Sequence, residues 1–165
     1  MLNLIKTRRS IRQFTSQDIE DEKLYTIIEA GIWAPSGLNN QPWKFALIKD
    51  EKTQNALASL THYSTIIEGA PVAIAVFFDT SESYDRIKDI QAIGACIQNM
   101  LLAIHALNLG GVWLGEILNN KEKVSKVLGA PDNLELMAAI VLGHPAEKGK
   151  KGSRKDLDEV VFLKR

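Results

Sequence analysis

The chain carries one cysteine, Cys96, in 165 residues. That excludes an intrachain disulfide and any multi-cysteine metal site. Apolar neighbours make it read as a buried, inert thiol. Net charge is missing as well: 20 Lys+Arg offset 20 Asp+Glu, for a formal net charge of +0. Nucleic-acid binders usually show a basic excess or stripe, so that class is disfavoured. No apolar run reaches membrane-spanning length. The longest candidate, "MLLAIHALNLGGVWLG", is broken by His105, Asn108 and a glycine pair. Met1–Lys6 lacks the apolar core and small-residue cleavage site of a secretory signal, which points to the cytoplasm. Familiar catalytic fingerprints are absent too. "GGVWLG" is neither G-x-G-x-x-G nor a P-loop, and there is no G-x-S-x-G elbow. His62, His105 and His144 lie far apart, with no carboxylate at metal-ligand spacing. No metal site, general acid–base pair or other catalytic side chain is assigned.

What is present is ordinary globular composition, 45% hydrophobic and 24% charged. The length suits one domain over 1–165. "EKLYTIIEAGIW", 22–33, places Leu24, Ile27, Ile28 and Gly31 at helical spacing after an acidic start. "APSGLNNQPW" stops that helix. "WKFALIK" alternates with Trp43, Phe45 and Leu47 on one face, as a strand does. Residues 51–60 suit a short helix. "PVAIAVFF", 71–78, reads as a strand covered on both faces. Residues 92–109 are apolar nearly all round, so this helix must be covered on both sides. The sheet is one cover, and a partner subunit is an economical second. "GGVWLGEI", 110–117, predicts a glycine-opened strand. "NKEKVSKVLGAP" is a helix ended by Gly129 and Pro131, and "LELMAAIVLG" is another buried strand. A basic stretch, "AEKGKKGSRK", leads to the strand-like "VVFL", which must dock on something. Together these elements predict a helix-flanked sheet with mixed connections.

In a neutral chain, "RRSIRQF" concentrates Arg8, Arg9 and Arg12 around Ser10. Without a side-chain catalyst, chemistry would come from a cofactor. Arginine forks and a hydroxyl suit a phosphate dianion. On these residues alone, a solvated turn is the favoured alternative. "RRSIRQF", "APSGLNNQPWKF" (34–45) and "GGVWLGEI", in this order, resemble the FMN-dependent nitroreductase family across essentially the whole chain. The resemblance implies an α+β sandwich, with a central mixed sheet flanked by helices. It implies a homodimer with FMN at the subunit interface, NADH or NADPH as reductant, and a C-terminal tail reaching the partner.

Carried over by residue, Arg8, Arg9, Ser10 and Arg12 match the family's opening motif. That motif holds the phosphate, ribityl chain and pyrimidine edge, with Arg12 near flavin N1 and O2. Pro35, Ser36, Gly37 and Asn39 match the loop that reaches the flavin from the other subunit. Leu114 and Gly115 match the strand end beside the ring. Arg154, together with Lys155, matches the C-terminal phosphate binders. Trp43 and Trp113 suit the core rather than the cofactor. Lys150, Lys151 and Lys155 also suit a plain solvated tail. The implied reaction is NAD(P)H-dependent reduction of a small acceptor, a nitroaromatic or quinone, by ping-pong hydride transfer. Flavin binding without turnover, dehalogenation and flavin modification are the alternatives on the same fold. Two departures stand out. Only "DTSESYDR" fills the gap where larger members carry a helical excursion, and Asn108 replaces a common glycine.

Overall fold

Continuous apolar strands need cover on both faces, and the computed structural model, which describes residues 1–165, supplies it. Four strands form one sheet in the order β1-β2-β4-β3: β1 (Trp43–Ile48), β2 (Val72–Asp79), β3 (Gly110–Leu114) and β4 (Leu134–Gly143). Every residue of β2 is buried. Its alternation splits the core in two. Val72, Ile74, Val76 and Phe78 face one cluster with helices α2 (Asp21–Ile32) and α5 (Arg86–Ala106). Ala73, Ala75 and Phe77 face a second cluster on the other side. There Leu57 of α3 (Glu51–Ala58), Ile66 and Ile67 of α4 (Ser64–Glu68) and Val124 of α6 (Lys121–Leu128) pack. A bulge between Val76 and Phe77 shifts the register against β4. A short N-terminal helix, α1 (Leu2–Thr7), is tied to α5 by Thr7 Oγ1 and His105 Nε2 at 2.9 Å.

The α+β sandwich is as expected, and some particulars differ. All three strand ladders are antiparallel rather than mixed. The sole parallel pairing is an isolated bridge between Ser10 and Gly111. Helix α5 begins six residues before the apolar stretch that marks it. Asp85 caps its first turn by accepting from the Ile87 and Lys88 N–H groups. By length and composition α5 could cross a membrane. Its Ile93, Cys96, Ile97, Met100 and Ile104 are instead buried between α2 and the sheet. Trp43 is core, but Trp113 is 42% exposed, because β3 is an edge strand. Burial pushes the Cys96 thiol up to about 12, so it stays protonated and unreactive. The tail is not a strand. An Asp156–Glu159 capping box starts a single turn, α7 (Leu157–Val160), and residues 151–165 are exposed.

Candidate functional site

Residues 10–15 are stitched between two parts of the sheet. Ile11 N–H donates to Gly111 O at 3.1 Å, and Thr15 N–H donates to His144 O at 2.9 Å. Ala146 N–H returns a bond to Gln13 O at 2.9 Å, and Arg12 N–H donates to Glu147 Oε1 at 2.8 Å. Glycine at 110 is what lets the arm lie so close. A Cβ there would sit 2.8 Å from Ile11 Cβ. The chain after β4 then folds back across the arm. Gly149 lies so close to Arg9 that a Cβ would collide with the arginine's own Cβ.

These two crossings build a cleft of about 240 Å³ lined by Arg8, Arg9, Ser10, Arg12, Lys150, Lys151, Gly152 and Arg154. No apolar residue lines it. Six of its eight lining residues are cationic, and none of the six forms an ion pair with a carboxylate. Arg9 Nη1 donates to the Lys6 and Arg8 carbonyls at 2.7 and 2.8 Å, and Arg154 Nη1 to Ser153 O at 2.6 Å. Burial, followed by repulsion from Arg154 and Arg9, pulls the Arg8 guanidinium below its ordinary value. Such crowding of like charge is relieved by an anion. The fold thus brings Arg154 to the N-terminal arginines across the length of the chain. Lys150 and Lys151, which the sequence left as solvated tail, line the same cleft. Lys155 is exposed and does not line it.

The other expected residues lie apart. Leu114 turns its side chain into the core, so only its backbone is free to meet a ligand. Gly115 is exposed, and no atom of the chain lies within 4 Å of where its Cβ would be. Glu116 follows, accepting from Thr61 Oγ1 and His62 N–H. The Thr61 hydroxyl chiefly holds the Glu116 carboxyl below its usual range. Pro35, Ser36 and Gly37 line a second cleft of about 350 Å³ with Tyr84, Lys88 and Gln91. It shares no residue with the first. The loop is strained: Leu38, Asn39 and Gln41 all have positive φ, at 54°, 56° and 47°.

Sequence reasoning missed what holds that loop. Asp89 is fully buried and accepts from Asn40 Nδ2 at 2.8 Å and Ser83 Oγ at 2.7 Å. Tyr84 and Asp85 N–H groups complete its shell at 3.2 and 3.3 Å. Burial pushes this carboxyl up, but the hydrogen bonds from Ser83, Asn40 and the backbone outweigh it, and the net shift is down. The signal was available. Asp89 sits four residues before Ile93, on the buried stripe of α5. No group of three or more His, Cys, Asp or Glu side chains is placed to hold a metal ion.

A model of the nitroreductase family matches residues 5–64 and 50–144. The chain belongs to the nitroreductase family. A crystal structure from Desulfovibrio desulfuricans, of a nitroreductase candidate in complex with FMN, superposes with TM-score 0.95 at 48% identity. The match covers 99% of this chain and 96% of that one. The NADPH-flavin oxidoreductase of Vibrio harveyi is 34% identical over 160 residues, 88% of this chain and 67% of the relative. A NADH dehydrogenase/NAD(P)H nitroreductase candidate from Methanothermobacter thermautotrophicus is 32% identical over 151 residues, 89% of this chain and 78% of the relative. The site of this nitroreductase-family protein fits FMN on its own geometry. Guanidinium groups with no carboxylate partner and a hydroxyl suit a phosphate monoester. The open approach at Gly115 suits a flat ring.

Proposed function

We propose that this nitroreductase-family protein is an FMN-dependent NAD(P)H oxidoreductase reducing nitroaromatic or quinone acceptors by a ping-pong cycle. The observation that carries the reading is the cleft uniting residues 8–12 with Arg154, with no carboxylate paired to its six cations. Bound FMN supplies hydride transfer, accepting it from reduced nicotinamide and passing it to the acceptor. Arg8, Arg9, Arg154 and the Ser10 hydroxyl hold the phosphate. Arg12 offers positive charge to the pyrimidine edge of the ring, where negative charge develops on reduction. Leu114 and Gly115 present backbone to the ring.

The strained Pro35–Asn39 loop does not line the arginine cleft of its own chain, which fits its serving a second copy. Exposed apolar side chains on that side, Trp33 at 80% and Leu38 at 84%, support a homodimer, as does Phe162 of the tail at 98%. The tail then reaches across the partner. With a cleft that no apolar side chain lines, the chain's part is to bind, orient and stabilise charge.

The test compares FMN with riboflavin, which lacks the phosphate. The purified protein takes up FMN, shows a flavin spectrum and oxidises NAD(P)H when an acceptor is present. Arg154→Ala weakens FMN binding by about 10- to 150-fold, the worth of one charged hydrogen bond. It leaves riboflavin binding little changed. Equal loss for both flavins would make Arg154 a merely structural residue. A protein that binds neither flavin would end the reading.

A further inference from the structure

Hydride transfer leaves a proton to be found. A nitro group needs one hydride and one proton to become a nitroso group and water, and a quinone needs the same pair to become its hydroquinone. Beside Gly115 the chain holds a group suited to give that proton. Glu116, the next residue, reaches back to the turn between α3 and α4. Its Oε2 accepts from Thr61 Oγ1 and, at 3.1 Å, from the His62 N–H, and its Oε1 accepts from Asn119 Nδ2 at 3.2 Å. Asn120 Nδ2 donates to Leu60 O at 2.9 Å, so the turn is pinned twice to the segment that follows β3. The His62 imidazole takes no part in those bonds. Its side chain is 89% exposed, and its Nε2 stands 3.7 Å from Glu116 Oε1. Its Nδ1 makes no hydrogen bond within the chain. The core gains nothing from this ring, so the fold alone gives no reason for histidine here. An imidazole with a carboxylate at one nitrogen and the other nitrogen free is the arrangement of a general acid. The Thr61 hydroxyl chiefly holds the Glu116 carboxyl below its usual range, which keeps an anion beside the imidazole. The approach at Gly115 is open, with no atom of the chain within 4 Å of where its Cβ would be.

We propose that His62 gives the acceptor its proton, with Glu116 as the residue that positions it. This rests on the reading that flavin lies against Gly115 and that a nitro or quinone acceptor takes hydride there. As the acceptor takes the hydride with its electron pair, negative charge gathers on an acceptor oxygen. The His62 imidazolium releases its proton to that oxygen: an O–H bond forms and an N–H bond breaks. For a nitro group an N–O bond then breaks, and water leaves with both hydrogens. The neutral imidazole takes a new proton from solvent, to which it is open.

The experiment sets two acceptors against each other on the FMN-loaded protein. Nitrobenzene needs a proton; ferricyanide, a one-electron oxidant, needs none. Reoxidation of the NAD(P)H-reduced protein is followed by stopped flow for the parent, His62→Ala and Glu116→Gln. His62→Ala is expected to react about 100-fold more slowly with nitrobenzene, the lower end of what a positioned acid contributes. Its reaction with ferricyanide and its FMN affinity should match the parent's. Added imidazole should restore the nitrobenzene reaction, because the vacated position is open to solvent. Glu116→Gln keeps an oxygen for Thr61 and the His62 N–H but loses the charge, and it should show the same split between acceptors. Placement is read without turnover. In the oxidised parent, nitrobenzene should slow the acylation of His62 by diethyl pyrocarbonate, as followed by mass spectrometry. Equal loss with both acceptors would assign His62 to the flavin and overturn the proposal. A loss that imidazole does not restore, a fall in FMN affinity, or acylation indifferent to nitrobenzene overturns it too. Parent behaviour in Glu116→Gln overturns the pairing. An undiminished nitrobenzene reaction in His62→Ala ends this proposal and leaves the oxidoreductase reading standing, whereas a parent that reduces no acceptor ends both.

Discussion

At Asn108 the backbone takes φ 59°, the left-handed conformation. Asn108 N–H donates to His105 O at 3.1 Å and Leu109 N–H to Ile104 O at 3.0 Å. This is the Schellman ending of α5, with Leu109 and Ile104 buried as its apolar contact. Asparagine is the side chain that best tolerates a position where glycine is usual, which accounts for the substitution. Asn108→Val is expected to cost about 1–2 kcal/mol in denaturant unfolding, whereas Asn108→Gly keeps stability at or above the parent's. Gly115 is the opposite case. Its φ is −91° and no neighbour crowds its Cβ, so the chain alone gives no reason for glycine. Gly115→Val should keep its melting temperature and lose flavin-dependent activity; full turnover would remove the ring from this position. Glu135 sets an acid limit. Hydrogen bonds from Arg86 and then Lys121 hold its carboxyl at about 2, against an ordinary 4.5. A depressed folded value stabilises above pH 4.5, and that contribution is lost as pH falls toward about 2. Glu135→Gln should therefore unfold more easily at neutral pH, by about 1–3 kcal/mol after partial solvent screening. That gap should close across the acid window, as followed by melting temperature against pH.

Among the elements, those with a strong period were legible. β4 runs Leu134–Gly143 as its apolar run predicts, and α2 lies within a residue of its expected bounds. α1 and α4 went unseen, because six- and five-residue helices carry too little periodicity. Antiparallel pairing was also hidden: connection lengths allow crossovers, and nothing in β2 or β4 alone states direction. The candidate site was half legible. Its residue types showed in "RRSIR", but the covering role of Lys150 and Lys151 depends on a chain reversal that only Gly149 hints at. Two elements depend on single contacts. Gly110→Ala would set a Cβ against Ile11 and lift residues 8–12 off β3. The expected result is a stability loss of about 1–3 kcal/mol together with weaker FMN binding. Unchanged flavin affinity in that variant would uncouple the arm from the site. Asp89→Ala would free the 36–41 loop by leaving Asn40 without its carboxylate partner.

At the scale of the molecule, one chain presents the arginine cleft and its own Pro35–Asn39 loop in separate places. Trp33, Leu38 and the apolar side chains of Leu157, Val160, Val161, Phe162 and Leu163 stand exposed. Sedimentation at low micromolar concentration is expected to give two chains per particle, and a flavin-loaded monomer would refute this. Removing residues 156–165 should weaken association without unfolding the sheet, since no residue of that segment is buried. The cleft itself joins residues 8–12 to 150–154, nearly the two ends of the chain. A ligand bridging them acts as a reversible clasp, closing a loop that spans almost the whole sequence. Its loss lets both ends fray first. The clasp is made of arginine and lysine, the residues after which trypsin cuts. Apo-protein should therefore be clipped at Lys150, Lys151 and Arg154 ahead of the sheet, and added FMN should slow those cuts while riboflavin does not.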